Sequence, residues 1–155
     1  RAGHPIEAAA DLRAVLLTVE VGTLELITMA GWEGYFTPLQ IRGLLVRALV
    51  DAGELDEART VALTALDNAY AIKAPPFVMG ALLACARVEA AAGDVERAVE
   101  TAALIANSPR AFAPDRLMAA ALHGELKDRL PASYAPRALD WEQAAADRLA
   151  LALAE

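Results

Sequence analysis

The chain has 155 residues, is 57% hydrophobic and 23% charged, and sets 14 basic against 21 acidic side chains for a net charge of −7. A mean hydropathy of +0.34, with roughly two-fifths Ala and Leu, excludes a disordered chain, since those residues bury well and lead the helix scale. The acidic balance leaves no electrostatic footprint for a nucleic-acid backbone, and the single cysteine, Cys85, permits neither an internal disulfide nor a zinc cluster, which fits a reducing, cytoplasmic setting.

β-branched and aromatic residues never alternate with polar ones, whereas apolar residues recur every three or four positions, so the chain reads as all-α. In chain order the pattern predicts helices over 6–20, 23–34, 38–52, 55–73, 76–92, 94–107, 114–130 and 140–154. A turn phrase separates several of them: Gly22-Thr23-Leu24-Glu25, Gly53-Glu54-Leu55-Asp56 and Gly93-Asp94-Val95-Glu96. Each glycine suits the left-handed position that ends a helix, and the acids that follow suit the positive N-terminus of the next. Thr37-Pro38-Leu39-Gln40 carries a helix-start signature, and Asp140 with Gln143 a weaker one. The longest uncharged run, Ala74 to Ala86, falls short of the ~17 residues needed to cross a bilayer, so no spanning helix is expected. The chain opens on Arg1 without a signal-peptide layout and reads as a piece of something longer.

The second and third turn phrases lie 40 residues apart and continue alike, with Ala58 and Ala62 after Gly53 matched by Ala98 and Ala102 after Gly93. The runs Gly53 to Leu66 and Gly93 to Ala106 resemble degenerate tetratricopeptide repeats. The stretch Ala92 to Glu100, then Ser108-Pro109, then an Ala/Leu-rich helix ending at Leu130-Pro131, resembles the C-terminal arrays of large bacterial signalling ATPases and transcriptional regulators. The resemblance implies a right-handed α-solenoid of antiparallel hairpins over 1–113, in units of about 6–34, 38–73 and 76–107. It also implies a C-terminal capping element over 114–155 that covers the preceding helix.

Catalytic signatures are missing from the residues. There is no Gly-rich loop followed by Lys and Ser/Thr and no Gly-X-Ser-X-Gly; His4 and His123 lack partners at ligand spacing, and Cys85 sits where a buried, inert thiol belongs. Neither an enzyme, a metal nor a cofactor is therefore expected. The expected function is a non-catalytic interaction or sensor module of a larger bacterial regulatory protein, binding a peptide or a partner domain on the concave helical face. The alternative is a helical sensor that encloses a small effector. Arg47 and Arg87 each stand six residues before a turn glycine, which places them at equivalent points of neighbouring helices, with Gln40, Leu44 and Leu83 around them. Forked guanidinium donors there suit a carboxylate. Trp32, Tyr35 and Phe36 form a possible aromatic contact patch, against the plainer reading that they fill a gap at a turn. Phe112, Tyr134 and Trp141 are expected to pin the cap to the array.

Overall fold

The structure, a computed structural model, describes residues 4–26 and 33–153, and the side chains of 4–18 and 38–153. Every regular element among them is helical: α1 (Pro5–Leu26), α2 (Glu33–Ala52), α3 (Leu55–Ala71), α4 (Pro75–Ala92), α5 (Val95–Asn107), α6 (Ala113–Leu126), a single 3-10 turn (Lys127–Arg129) and α7 (Trp141–Ala152).

The two glycine turns have the geometry that their sequence implies. Gly53 and Gly93 sit at φ of 80° and 94°. The Asp94 amide reaches back to the Glu89 carbonyl at 2.9 Å, and the Glu54 amide to the Leu49 carbonyl at 2.9 Å, so the last carbonyls of α2 and α4 are satisfied within the turn. Asp94 and Asp140 accept the Arg97 and Gln143 amides at 3.3 and 2.8 Å, capping α5 and α7. The side chain of Gln143 turns instead to Asp147.

The first unit departs from expectation. Gly22 does not end a helix: α1 runs through it to Leu26, because Thr, Leu and Glu continue a helix once no left-handed residue interrupts it. Thr37-Pro38 is not a helix start either, since α2 begins at Glu33 and holds Pro38 in its second turn. The hairpin expected over 6–34 is replaced by α1 packed against α2.

Each helix from α1 to α5 packs on the next in sequence, and α4 also touches α2 and α6. That makes α4 the centre of the molecule, with Ala81 to Ala86 buried without a break. Its length and apolarity match those of a membrane-crossing helix, more than the short uncharged run suggests. The packing of its neighbours uses that apolarity. Small residues, Ala58, Ala62 and Ala65 on α3 and Ala98 and Ala102 on α5, let those neighbours approach closely.

The C-terminal helix corrects a second expectation. α7 packs on α3 and α4 rather than on α6, so it does not cap the preceding helix. The reason lies in the strap before it, which is drawn back along α5 by contacts to Glu100. The outer side of α6 stays open, with Leu117 74% exposed.

Candidate functional site

Two regions collect polar side chains, and they differ in depth. The first is the face shared by α2, α4 and α6. On α2, Gln40, Leu44, Arg47 and Asp51 fall at helical spacing on one stripe, and all four are exposed, Leu44 by 56%. Arg87, on α4, is half-buried beside them. Burial and the neighbouring Arg47 guanidinium push Arg87 below the usual arginine range, while Asp51 of α2 and Glu125 of α6 pull the other way. The register predicted for Arg47 and Arg87 therefore brings them within each other's field, at the middle of a mixed-charge strip.

Leu83 does not belong to that strip. It is 3% exposed, because the central position of α4 turns that side of the helix into its neighbours, and Ala84 is buried with it. Trp32 lies outside the described residues, as do the side chains of Tyr35 and Phe36. His4 is exposed, His123 half-buried, and no group of three metal-ligating side chains occurs among the described residues. Cys85 is buried, and burial pushes its thiol up to about 12, which leaves it inert.

The second region is the seam where the C-terminal strap and α7 meet the other helices. The three aromatics expected to pin this segment all make contacts. Phe112 meets Phe77 edge to face at 5.6 Å, Trp141 meets Tyr70 at 6.5 Å, and the Tyr134 hydroxyl donates to Glu100 at 2.8 Å. Deeper in, Arg148 is 5% exposed and forks onto Glu89 through Nε and Nη2 at 2.9 and 2.7 Å. It also donates to the Thr101 hydroxyl at 2.5 Å and to the Ala144 carbonyl at 2.9 Å. Thr101 in turn donates to the Arg97 carbonyl, so no member of the cluster lacks a partner. Burial raises the Glu89 carboxyl above its ordinary range, although Arg148 and Arg97 hold it down in part.

Beside this cluster, between α7 and the facing ends of α3, α4 and α5, lies a cleft of about 260 Å³. A second, more open depression of about 480 Å³ lies between α5 and the strap.

Arg148 and Glu100 were absent from the sequence expectations; the sequence carries a signal for Arg148, while for Glu100 only the structure shows one. Arg148 follows Ala144 and Ala145 by one helical turn, on the apolar stripe of α7. Glu100 sits inside the run 98–102, buried at every position, which one covered face cannot produce. Comparison with protein-family models, curated proteins and solved structures finds no match to this chain.

Proposed function

We propose that the chain is a non-catalytic binding module, a short right-handed α-solenoid of the tetratricopeptide kind. In this reading α2, α4 and α6 form the inner row and α1, α3 and α5 the outer one, and the inner face takes a peptide or a domain of a larger bacterial regulatory protein. The observation that carries it is Arg87, held half-buried on the central helix between Arg47 and Asp51 on one side and Glu125 on the other, with the exposed Leu44 on the same α2 stripe as Arg47. Such a strip offers charge for orientation and an apolar side chain for affinity on a preformed surface, so binding costs little ordering.

The rival reading, a sensor for a small effector, has the clefts at the α7 seam in its favour. The more enclosed one, at about 260 Å³, falls below the ~300–1,000 Å³ typical of ligand pockets, and two of its cations, Arg97 and Arg148, already meet acids of the same wall.

Selection of binders from a displayed peptide library, followed by amide chemical-shift mapping, separates the two. Binders are expected to perturb α2, α4 and α6 and to lose about tenfold in affinity, ~1.4 kcal/mol, with Arg47→Glu or Arg87→Glu at unchanged thermal stability. Perturbations confined to α7 and the N-terminal turn of α5, or affinity indifferent to both reversals, would overturn the proposal.

A further inference from the structure

The two terminal helices of the packed series leave apolar side chains facing outward. On α1, Ile6, Val15 and Leu17 are 63%, 47% and 65% exposed, and on α6 Leu117 is 74% exposed. Along the outer side of α1 also stand the exposed Glu7, Ala10, Asp11 and Ala14, and along that of α6 the exposed Ala120, Ala121 and Gly124. Lys127 and Arg129 are exposed in the turn that extends α6, with Asp128 between them.

Consecutive helices in this fold run antiparallel, joined by short turns from α2 to α6. Laid antiparallel in one register, the two outer faces match position by position. Leu117 falls opposite Leu17, Ala120 opposite Ala14, Gly124 opposite Ala10, and Lys127 opposite Glu7. Apolar meets apolar at one end, small meets small in the middle, and cation meets acid at the other. No Cβ at Gly124 would meet anything within 4 Å in the single copy, so the middle of that face is open for close approach.

We infer that the occupant of each terminal face is a second copy of this chain, docked head to tail with its α1 against α6 of the first. The two faces are different, so the contact is head to tail, not a two-fold dimer, and repeats from copy to copy into an open series or a ring of more than two. It is independent of the ligand face on α2, α4 and α6. The net charge of −7 opposes association in general, which makes the local match of Lys127 with Glu7 the element that fixes register.

Sedimentation equilibrium of the 155-residue chain at physiological salt, over about two decades of concentration, tests this. The expected result is a weight-average mass that climbs without a plateau at the dimer. Leu17→Glu and Leu117→Glu, both at exposed positions, each abolish the climb. Mixed together they give a one-to-one dimer and nothing larger, since each variant keeps one intact face. Lys127→Glu weakens association at least about tenfold, and adding Glu7→Lys in the same chain restores it. A monomer at every concentration overturns the inference, and so does a plateau at the dimer or a mass indifferent to these variants. Circular dichroism melts of the variants keep a loss of association distinct from a loss of fold.

Discussion

Three arginines dock three parts of the chain with the same forked geometry at three depths. Arg148 ties α7 to Glu89, with side chains 5% and 15% exposed; Arg137 ties the strap to Glu100, at 68% and 3%; Arg13 ties α1 to Glu57, at 37% and 40%. The bonds are alike, with Nε to carboxylate distances of 2.9, 3.1 and 2.7 Å. The electrostatic outcomes differ. For both Glu89 and Glu100 burial is the largest influence and pushes the carboxyl up. At Glu89 it prevails. At Glu100 the side-chain bonds from Arg137 and Tyr134 and the Arg137 amide together outweigh it, and the carboxyl ends below its ordinary range. Glu57 is also lowered, first by its bond to Arg13, with little burial to oppose it. The fork alone does not set the outcome: Glu100, less exposed than Glu89, also takes the Tyr134 hydroxyl and the Arg137 amide, and Glu89 has neither.

The largest expected effect follows from the deepest pair. Arg148→Ala leaves Glu89 without its hydrogen-bonded partner, with only the more distant Arg97 guanidinium near it, and removes a donor from Thr101, and a cost of about 3–5 kcal/mol is expected by urea denaturation. Replacing both partners by apolar residues, Arg148→Met with Glu89→Leu, should recover most of that loss, because the desolvation penalty of two ions disappears with their attraction. A double variant as unstable as the single one would show that the fork is worth more than its burial costs.

The next effect separates the buried Glu100 from the half-buried Glu89 by the sign of their pH dependence. Glu100, lowered by folding, contributes stability that is present above the ordinary glutamate value of 4.5 and is lost as pH falls through its depressed one. Glu89, raised by folding, works the other way: its contribution is present below 4.5 and is lost as pH rises through its elevated value. Acid titration of stability should therefore become shallower in Glu100→Gln and steeper in Glu89→Gln. Equal slopes in the two variants would erase the contrast.

A smaller effect lies at high pH. Burial and the Glu100 carboxylate push the Tyr134 hydroxyl up to about 12 from an ordinary 10.0. The stability that it adds is present below the ordinary value and is lost as pH climbs towards 12, so Tyr134→Phe should flatten the alkaline limb of the stability profile, followed by tyrosinate absorbance at the same time.

What could be read from the sequence was what local rules encode. The helical period, the glycines at 53 and 93, and the cap at Asp140 all reappear as geometry, because each depends on neighbours within a turn; Asp94, expected only as an acid in the first turn, proves to be a cap. The boundary between α1 and α2 was misplaced because a glycine followed by an acid marks a turn only if the chain there leaves the helix, and at Gly22 it does not. The docking of α7 was out of reach for a different reason. It is decided by Arg148 meeting Glu89 across 59 positions and Thr101 across 47, and no period in the sequence relates them. Leu83 was misjudged on the same ground, since the helices packed around α4, and not its own stripe, decide which side is free.

The smallest effect belongs to the shallowest pair. Arg13 makes short contacts to both Glu57 and Glu54, at 2.5 and 3.0 Å, and counted as bonds it rivals Arg148. All three side chains remain more than a third exposed, however, so water and salt share the field between them. Arg13→Ala is expected to lower the melting temperature slightly in dilute buffer. The difference should vanish at about 1 M salt, where the screening length is about 3 Å. The Arg148→Ala loss should persist there, because the low-dielectric seam excludes the ions that screen. A salt-independent loss at Arg13 as large as that at Arg148 would mean that fork geometry sets the energy, and the ranking by depth would fall.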